Sequence, residues 1–206
     1  MGRRRVGQTG NQVERSAFVT RLLGVVLSGG KSSRMGRDKS SLLHRSGVSF
    51  LQYACDRLEP ICQQRVIVGG RLTVEGVRTL TDALADQGPA MGIATAIDHA
   101  SQFGFDACLV SAVDLPNLTT DHLRPLIRAW MDRPFAPACL VDSDDLRLQP
   151  LAGLYPVSLH EELASLATSQ QRSLTRWLSC KKLMTIPAPP EVLHNVNHPE
   201  DLESES

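Results

Sequence analysis

Leu22-Leu23-Gly24-Val25-Val26-Leu27-Ser28-Gly29-Gly30-Lys31-Ser32-Ser33-Arg34-Met35-Gly36-Arg37-Asp38-Lys39 is the stretch on which the fold of this chain turns. Residues 22–27 form an unbroken apolar run, the pattern of a strand covered on both faces. Residues 28–39 are rich in glycine and cations. Glycines let a backbone approach an anion closely and aim its N–H groups at the oxygens. Lys31, Arg34 and Lys39 gather positive charge in a chain whose formal net charge is zero. A loop of this kind after a buried strand suits a triphosphate, and Lys39 can neutralise charge as phosphates depart. Gly30-Lys31-Ser32 is not the end of a Walker A loop, because the first glycine of that motif would fall on Val25, and no G-x-G-x-x-G occurs here. The alternative is an ordinary loop made flexible by glycine.

Working outward, strands and helices alternate. "SFLQYACDRLEPI" (49–61) predicts a helix with Leu51, Ala54, Cys55, Leu58 and Ile61 on one face. "RVIVGG" (65–70) and "VRTLTD" (77–82) read as strands. "GIATAIDHA" (92–100) begins a helix of small residues, and "ACLVSAV" (107–113) is a second buried strand with Asp114 at its end. Thr119 and Thr120 can cap the helix "DHLRPLIRAWM", which carries Pro125 in its first turns. "FAPACLV" and "LQPLAGLY" are later strands. Ser158 to Glu161 has capping-box spacing before an apolar helix, Ser173 caps "LTRWLSC", and "VLHNVN" reads as a short strand before a capped turn. This alternation predicts a mostly parallel sheet with helices on both faces. Ligands of such sheets bind beyond the carboxyl ends of the strands, where the glycine loop and Asp114 can both lie.

A length of 206 residues suits one large domain, expected over 21–206 behind a flexible arm at 1–20, or an over-extended start. With 42% hydrophobic and only 4% aromatic residues, the core must come from Leu, Val, Ile and Ala. Zero net charge offers nothing global to nucleic acid or an anionic membrane. No apolar run approaches the ~20 residues that span a bilayer, and Val6 breaks the myristoylation pattern. The five cysteines form no C-x-x-C pair and read as free thiols of a reducing cytosol. The expectation is a cytoplasmic protein without nucleic-acid or membrane partners.

Individual residues carry open alternatives. Asp114 at a strand end can share a hard cation with phosphate oxygens, or make a turn. Asp82 can hold ribose, base or a metal-bound water, or likewise make a turn. Gly88-Pro89 and Gly92 suit close backbone approach at a helix N-terminus, or packing. Arg172 with Ser173, and Arg147, can meet an acceptor phosphate or remain solvated. Asn195 and Asn197 would share one side of a strand, or form a turn before Pro199. His194 and His198 have helical metal spacing, but Pro199 argues against a helix there. Lys181-Lys182 reads as a solvated helix end.

"LSGGKSSRMGRDKSSL" (27–42) is similar to the signature loop of nucleotidyltransferase families, L-x-G-G-x-S-x-R-M-G-x-D-K-x-x-L. Over about residues 22–203 the chain resembles the molybdenum cofactor guanylyltransferase family. The later segments "TDALADQGPAMGI", "VDLP", "LQPLAGLY", "QRSL" and "NVNHPEDL" follow in the family's order. The resemblance implies an α/β fold, a single three-layer α/β/α domain with a mostly parallel, mixed, twisted sheet of the Rossmann-like nucleotide-diphospho-sugar transferase type. It implies a Mg²⁺-dependent enzyme that passes GMP from GTP to the terminal phosphate of Mo-molybdopterin, releasing pyrophosphate. Leu27, Ser28 and Gly29 would line the guanine site, with Gly30 and Gly88 also on the nucleotide. Lys39 and Asp82 would contact GTP, and Asp114 would contact GTP and bind Mg²⁺. Lys39, Asp114 and Arg34 are the expected catalytic set, and Arg172, Asn195 and Asn197 the expected acceptor set. A monomer, served by molybdoenzyme maturation proteins, is the expected assembly.

The chain departs from the family pattern at Ser28 (commonly Ala), Val113 (Cys) and Ala90-Met91 (Leu-x), and "VIVGGR" has no asparagine after the second strand. A phosphate monoester acceptor has a second pKa near ~6, so it is mostly dianionic at neutral pH and needs alignment rather than a general base. Competing readings are a cytidylyl- or sugar-phosphate transferase of the same superfamily, and a non-catalytic nucleotide-binding homologue.

Overall fold

The structure, a computed structural model, describes residues 20–29, 39–81 and 88–196. Gly30, Lys31, Arg34, Asp82, Asn197, His198 and all but the last residue of the expected arm (1–20) lie outside the described residues. The described chain runs β1 (Leu22–Leu27), α1 (Phe50–Asp56), β2 (Gln64–Val68), β3 (Arg78–Leu80), α2 (Pro89–Gln102), β4 (Ala107–Ala112), α3 (Thr120–Asp132), β5 (Ala138–Asp142), β6 (Leu148–Pro156), α4 (His160–Thr168), α5 (Leu174–Ser179) and β7 (Met184–Ala188). The strands form one sheet in the order β3-β2-β1-β4-β6-β5-β7. Only β6 runs against its neighbours, pairing antiparallel with β4 and β5. The sheet is mostly parallel, as the alternation predicted, and mixed, as the resemblance implied.

β1 and β4 are buried at every position. Their side chains alternate between two cores, as strand geometry requires. Leu22 and Val26 join Leu51, Ala54 and Leu58 of the α1 segment and Leu123, Leu126 and Trp130 of α3 on one face. Leu23, Val25 and Leu27 face Ile93, Ala96 and Ile97 of α2, with Leu163 of α4 and Leu178 of α5 in the same layer. Three layers result. Gly24 sits against the turn that follows α1: a Cβ there would lie 3.2 Å from both Leu58 Cβ and Cys62 Sγ.

Local signals behaved unevenly. Ser49 caps α1, accepting from Gln52 N at 3.1 Å, and Ser173 caps α5, accepting from Arg176 N at 3.3 Å. Thr119 is the N-cap of α3, and its N–H donates to His122 Nδ1 at 3.2 Å. Ser158 is a correction. It lies inside a 3-10 turn (Val157–Leu159), and α4 has Leu159 as its N-cap with no side-chain cap bond. "VLHNVN" is another: Pro190–Val192 form a 3-10 turn and 194–196 have no regular structure, because β7 already occupies the sheet edge beside β5. Lys181 is no bare helix end either. It pairs with Glu162 of α4 and lies over the Trp177 ring, tying α5 to α4. No described helix is long and apolar enough to cross a membrane.

Candidate active site at the β1–β4 edge

The chain leaves β1 toward β2 on one side and returns through α2 to β4 on the other, so the direction of strand order reverses at the β1–β4 boundary. Crevices at such reversals, beyond the carboxyl ends, are where α/β sheets bind ligands. The register makes the juxtaposition concrete. Leu27 is paired with Ala112, so Ser28-Gly29 and Val113-Asp114 emerge side by side from adjacent strands, whose axes are about 4.8 Å apart.

Ser28 is fully buried, and its hydroxyl lies 2.6 Å from that of buried Ser40. This contact closes the base of the glycine loop. It brings the 3-10 turn Lys39–Ser41, where the loop ends, against the point where the loop begins. Gly29 is the first exposed residue of the segment, whereas Leu27 is buried. The hydroxyl that replaces the family's common alanine therefore faces inward and ties the loop at its base.

The segment after β2 completes this wall. Ser28 N donates to Val68 O at 2.9 Å. Gly69 and Gly70 both take positive φ, 77° and 73°. A Cβ on Gly70 would overlap Ser28 O and sit 2.7 Å from Ser28 Oγ. The glycine pair stands where the family often has an asparagine, and here it serves a left-handed turn packed against Ser28.

Asp114 is half-buried, with its backbone held from the far side of the edge. Val196 N donates to Asp114 O at 3.0 Å, and Asn117 Nδ2 donates to Glu191 O at 3.1 Å. The C-terminal segment thus crosses the Asp114 turn and delivers Asn195, whose Oδ1 accepts from Gln149 Nε2 at 3.4 Å. Asn195 reaches the site as irregular chain rather than as the strand its alternation with Asn197 suggested. Gly88 is the N-cap of α2 at φ 82°, a conformation that favours glycine, with Pro89 opening the helix. Since α2 links β3 to β4, its N-terminus faces the same carboxyl edge.

Arg172 and Arg147 lie further out. Asp98, late in α2, pairs with His160 at the start of α4 at 3.3 Å, so these helices run antiparallel and α4 climbs back toward the Gly88 end. Arg172 follows α4, exposed, with Nε donating to Ser169 O at 2.9 Å within its own loop. Arg147 sits on the β5–β6 hairpin between Asp142 and Asp145, at 3.6 and 3.7 Å.

No three His, Cys, Asp or Glu side chains cluster among the described residues. Mg²⁺ commonly takes one or two carboxylates and completes its shell with substrate phosphates and water, so a carboxylate at this edge is a donor it can use. Asp114 is the described carboxylate placed to serve. A separate open depression of about 320 Å³ lies between β3 and α2, lined by Thr79, Thr81, Thr95 and His99 among others.

Sequence reasoning missed Arg57, His44 and Ser40. Arg57 is buried and donates to Ala112 O, Leu115 O and Leu118 O around Asp114. The signal existed: an arginine lies three residues after Ala54 and directly before Leu58, on an apolar stripe.

A three-layer α/β/α sheet with one antiparallel strand, and an aspartate after β4 beside the end of β1, is the architecture of the Rossmann-like nucleotidyltransferase fold. The fold agrees with the crystal structure of molybdopterin-guanine dinucleotide biosynthesis protein A from Archaeoglobus fulgidus, with a TM-score of 0.68 at 21% identity, covering 88% of this chain and 95% of that one. The family model of the MobA-like NTP transferase domain matches residues 24–185, and the chain belongs to that family. Among its relatives is a probable molybdenum cofactor guanylyltransferase of Rhodopirellula baltica, 41% identical over 189 residues, 88% of this chain and 90% of the relative. The molybdenum cofactor guanylyltransferase of Cereibacter sphaeroides is 29% identical over 187 residues, 88% of this chain and 94% of that protein.

Proposed function

We propose that this chain transfers GMP from GTP to the terminal phosphate of Mo-molybdopterin, forming the guanine dinucleotide cofactor and pyrophosphate. The observation that carries the reading is the β1–β4 register, which sets the start of the glycine loop beside Asp114. The 41% identity to a relative named as a probable molybdenum cofactor guanylyltransferase supports the choice of donor and acceptor.

An oxygen of the acceptor's phosphate forms a bond to the α-phosphorus of GTP while the bond from that phosphorus to the bridging oxygen breaks, and pyrophosphate leaves. The acceptor is already dianionic near neutral pH, so the protein's task is to align the two anions and offset their charge. Gly29 and Gly30 would present backbone N–H groups to the phosphates. Arg34 and Lys39 would offset charge, Lys39 on the departing pyrophosphate. Asp82, Gly88 and the Leu27–Gly29 wall would hold the nucleoside. Arg172, Asn195 and Asn197 would hold the acceptor. Asp114 would hold Mg²⁺, which when bound supplies charge neutralisation across the phosphate oxygens.

The test incubates the purified protein with each triphosphate in turn, Mg²⁺ and molybdopterin, and follows pyrophosphate. Release with GTP alone, dependent on the pterin and lost in Asp114→Asn, is expected. Release with CTP or UTP in preference, or full turnover by Asp114→Asn, contradicts the proposal.

A further inference from the structure

Arg57 closes α1 and points a cation into the side of the helix that carries the core residues Leu51, Ala54 and Leu58. It is 4% exposed, and burial lowers its pKa from 12.5 to about 10. Its Nε is buried without a partner. Packing alone gives no reason for a guanidinium here, since desolvating one is costly unless its donors are answered.

The donors that are answered all reach one turn. Nη2 donates to Ala112 O at 2.5 Å, and Nη1 donates to Leu115 O at 2.5 Å and to Leu118 O at 3.1 Å. Asp114 lies between the first two of these carbonyls. The backbone of Arg57 adds a tie to the start of α3, its carbonyl accepting from Thr120 Oγ1 at 2.7 Å. A second clamp comes from the segment that ends the glycine loop. His44 Nε2 donates to Pro116 O at 3.2 Å, and the ring stacks on Tyr53 at 3.7 Å. The same Tyr53 ring lies 5.6 Å from the Arg57 guanidinium.

A carboxylate in a turn is only as well directed as the peptide planes on either side of it. The carbonyls of 112 and 115 belong to the peptide planes just outside the two that flank Asp114, so gripping both pins the ends of the short 113–115 segment, while Val196 N holds the Asp114 carbonyl itself, and together these restrict the direction of the bond from Cα to Cβ at 114. We infer that Arg57 is a positioning residue for this active site: by gripping the carbonyls of Ala112, Leu115 and Leu118 it aims the Asp114 carboxylate at the metal-bound triphosphate. The inference rests on the proposed role of Asp114. His44 extends the same function to Pro116, so that the turn and the end of the glycine loop are held as one body.

The experiment uses the full chain with Arg57→Lys, which keeps a buried cation and an aliphatic stem, and with Arg57→Met. Mn²⁺ binding to the protein–GTP complex is read by electron paramagnetic resonance, beside kcat and KM for GTP. In variants whose circular dichroism is unchanged, Mn²⁺ affinity and kcat should each fall about tenfold or more, as loss of an outer-shell partner of a metal ligand does. KM for GTP should stay within about twofold, and lysine should lose less than methionine. In Asp114→Asn, adding Arg57→Lys should cost no further Mn²⁺ affinity. Should the methionine variant fail to fold, the lysine variant decides. Unchanged Mn²⁺ affinity and kcat in the folded lysine variant overturns the inference, as does an additive loss in the double variant. Intact Mn²⁺ binding and turnover in Asp114→Asn alone refutes instead the reading of Asp114 on which the inference stands.

Discussion

At the scale of single residues, the edge is built by backbone approach. Gly70 is the tightest case, because a methyl there meets Ser28 O and because its φ of 73° lies in the left-handed region. Gly70→Ala should therefore destabilise the protein by about 2 kcal/mol or more, combining left-handed strain with overlap. Equilibrium urea unfolding measures it; a loss under about 0.5 kcal/mol would mean that the Ser28–Gly70 wall yields freely. Ser28 itself shows how a sequence departure acquires a physical reason. Its hydroxyl meets that of Ser40 at 2.6 Å, so the change from alanine is compensated within the loop's own base. Nothing in the residue pattern disclosed that pairing, because the partners lie on opposite ends of the glycine loop.

At the scale of elements, what was legible depended on how local the cause was. β1 and β4 were plain in the sequence because both of their faces are buried, leaving unbroken apolar runs. The cap at Ser173, set by neighbours in sequence, was equally readable. β7 was not, since its exposed positions alternate with half-buried ones and it contains Pro187; it exists because β5 offers a free edge. Asn195 was placed near the site by the family resemblance, and of its two local readings, strand or turn, the strand fails. No strand carries it there; one hydrogen bond from Val196 to the Asp114 carbonyl does. Arg57 was missed for the opposite reason: a charged residue beside an apolar stripe reads as solvated, and only the turn after β4 shows what it holds.

At the scale of the whole molecule, the two cores and the buried edge make a chemical prediction. Burial pushes the thiols of Cys55, Cys62 and Cys139 up to about 12, and that of Cys108 higher still, whereas Cys180 is exposed. Thiols raised in the folded state keep protons that the unfolded chain sheds above pH 9.0, so their contribution to stability is complete below that pH and is lost as pH climbs toward 12. Iodoacetamide at pH 8 should alkylate Cys180 first, with the buried Cys55, Cys108 and Cys139 modified only after denaturation, as read by peptide mass spectrometry; early alkylation of Cys108 would show that the core opens. The edge where the strand order reverses is tested most directly by anomalous scattering from crystals grown with GTP and Mn²⁺. A manganese peak bonded to the Asp114 carboxylate is predicted, with the triphosphate lying along the segment from Gly29 to Lys39. A peak remote from Asp114, or a nucleotide seated instead in the depression between β3 and α2, would contradict it.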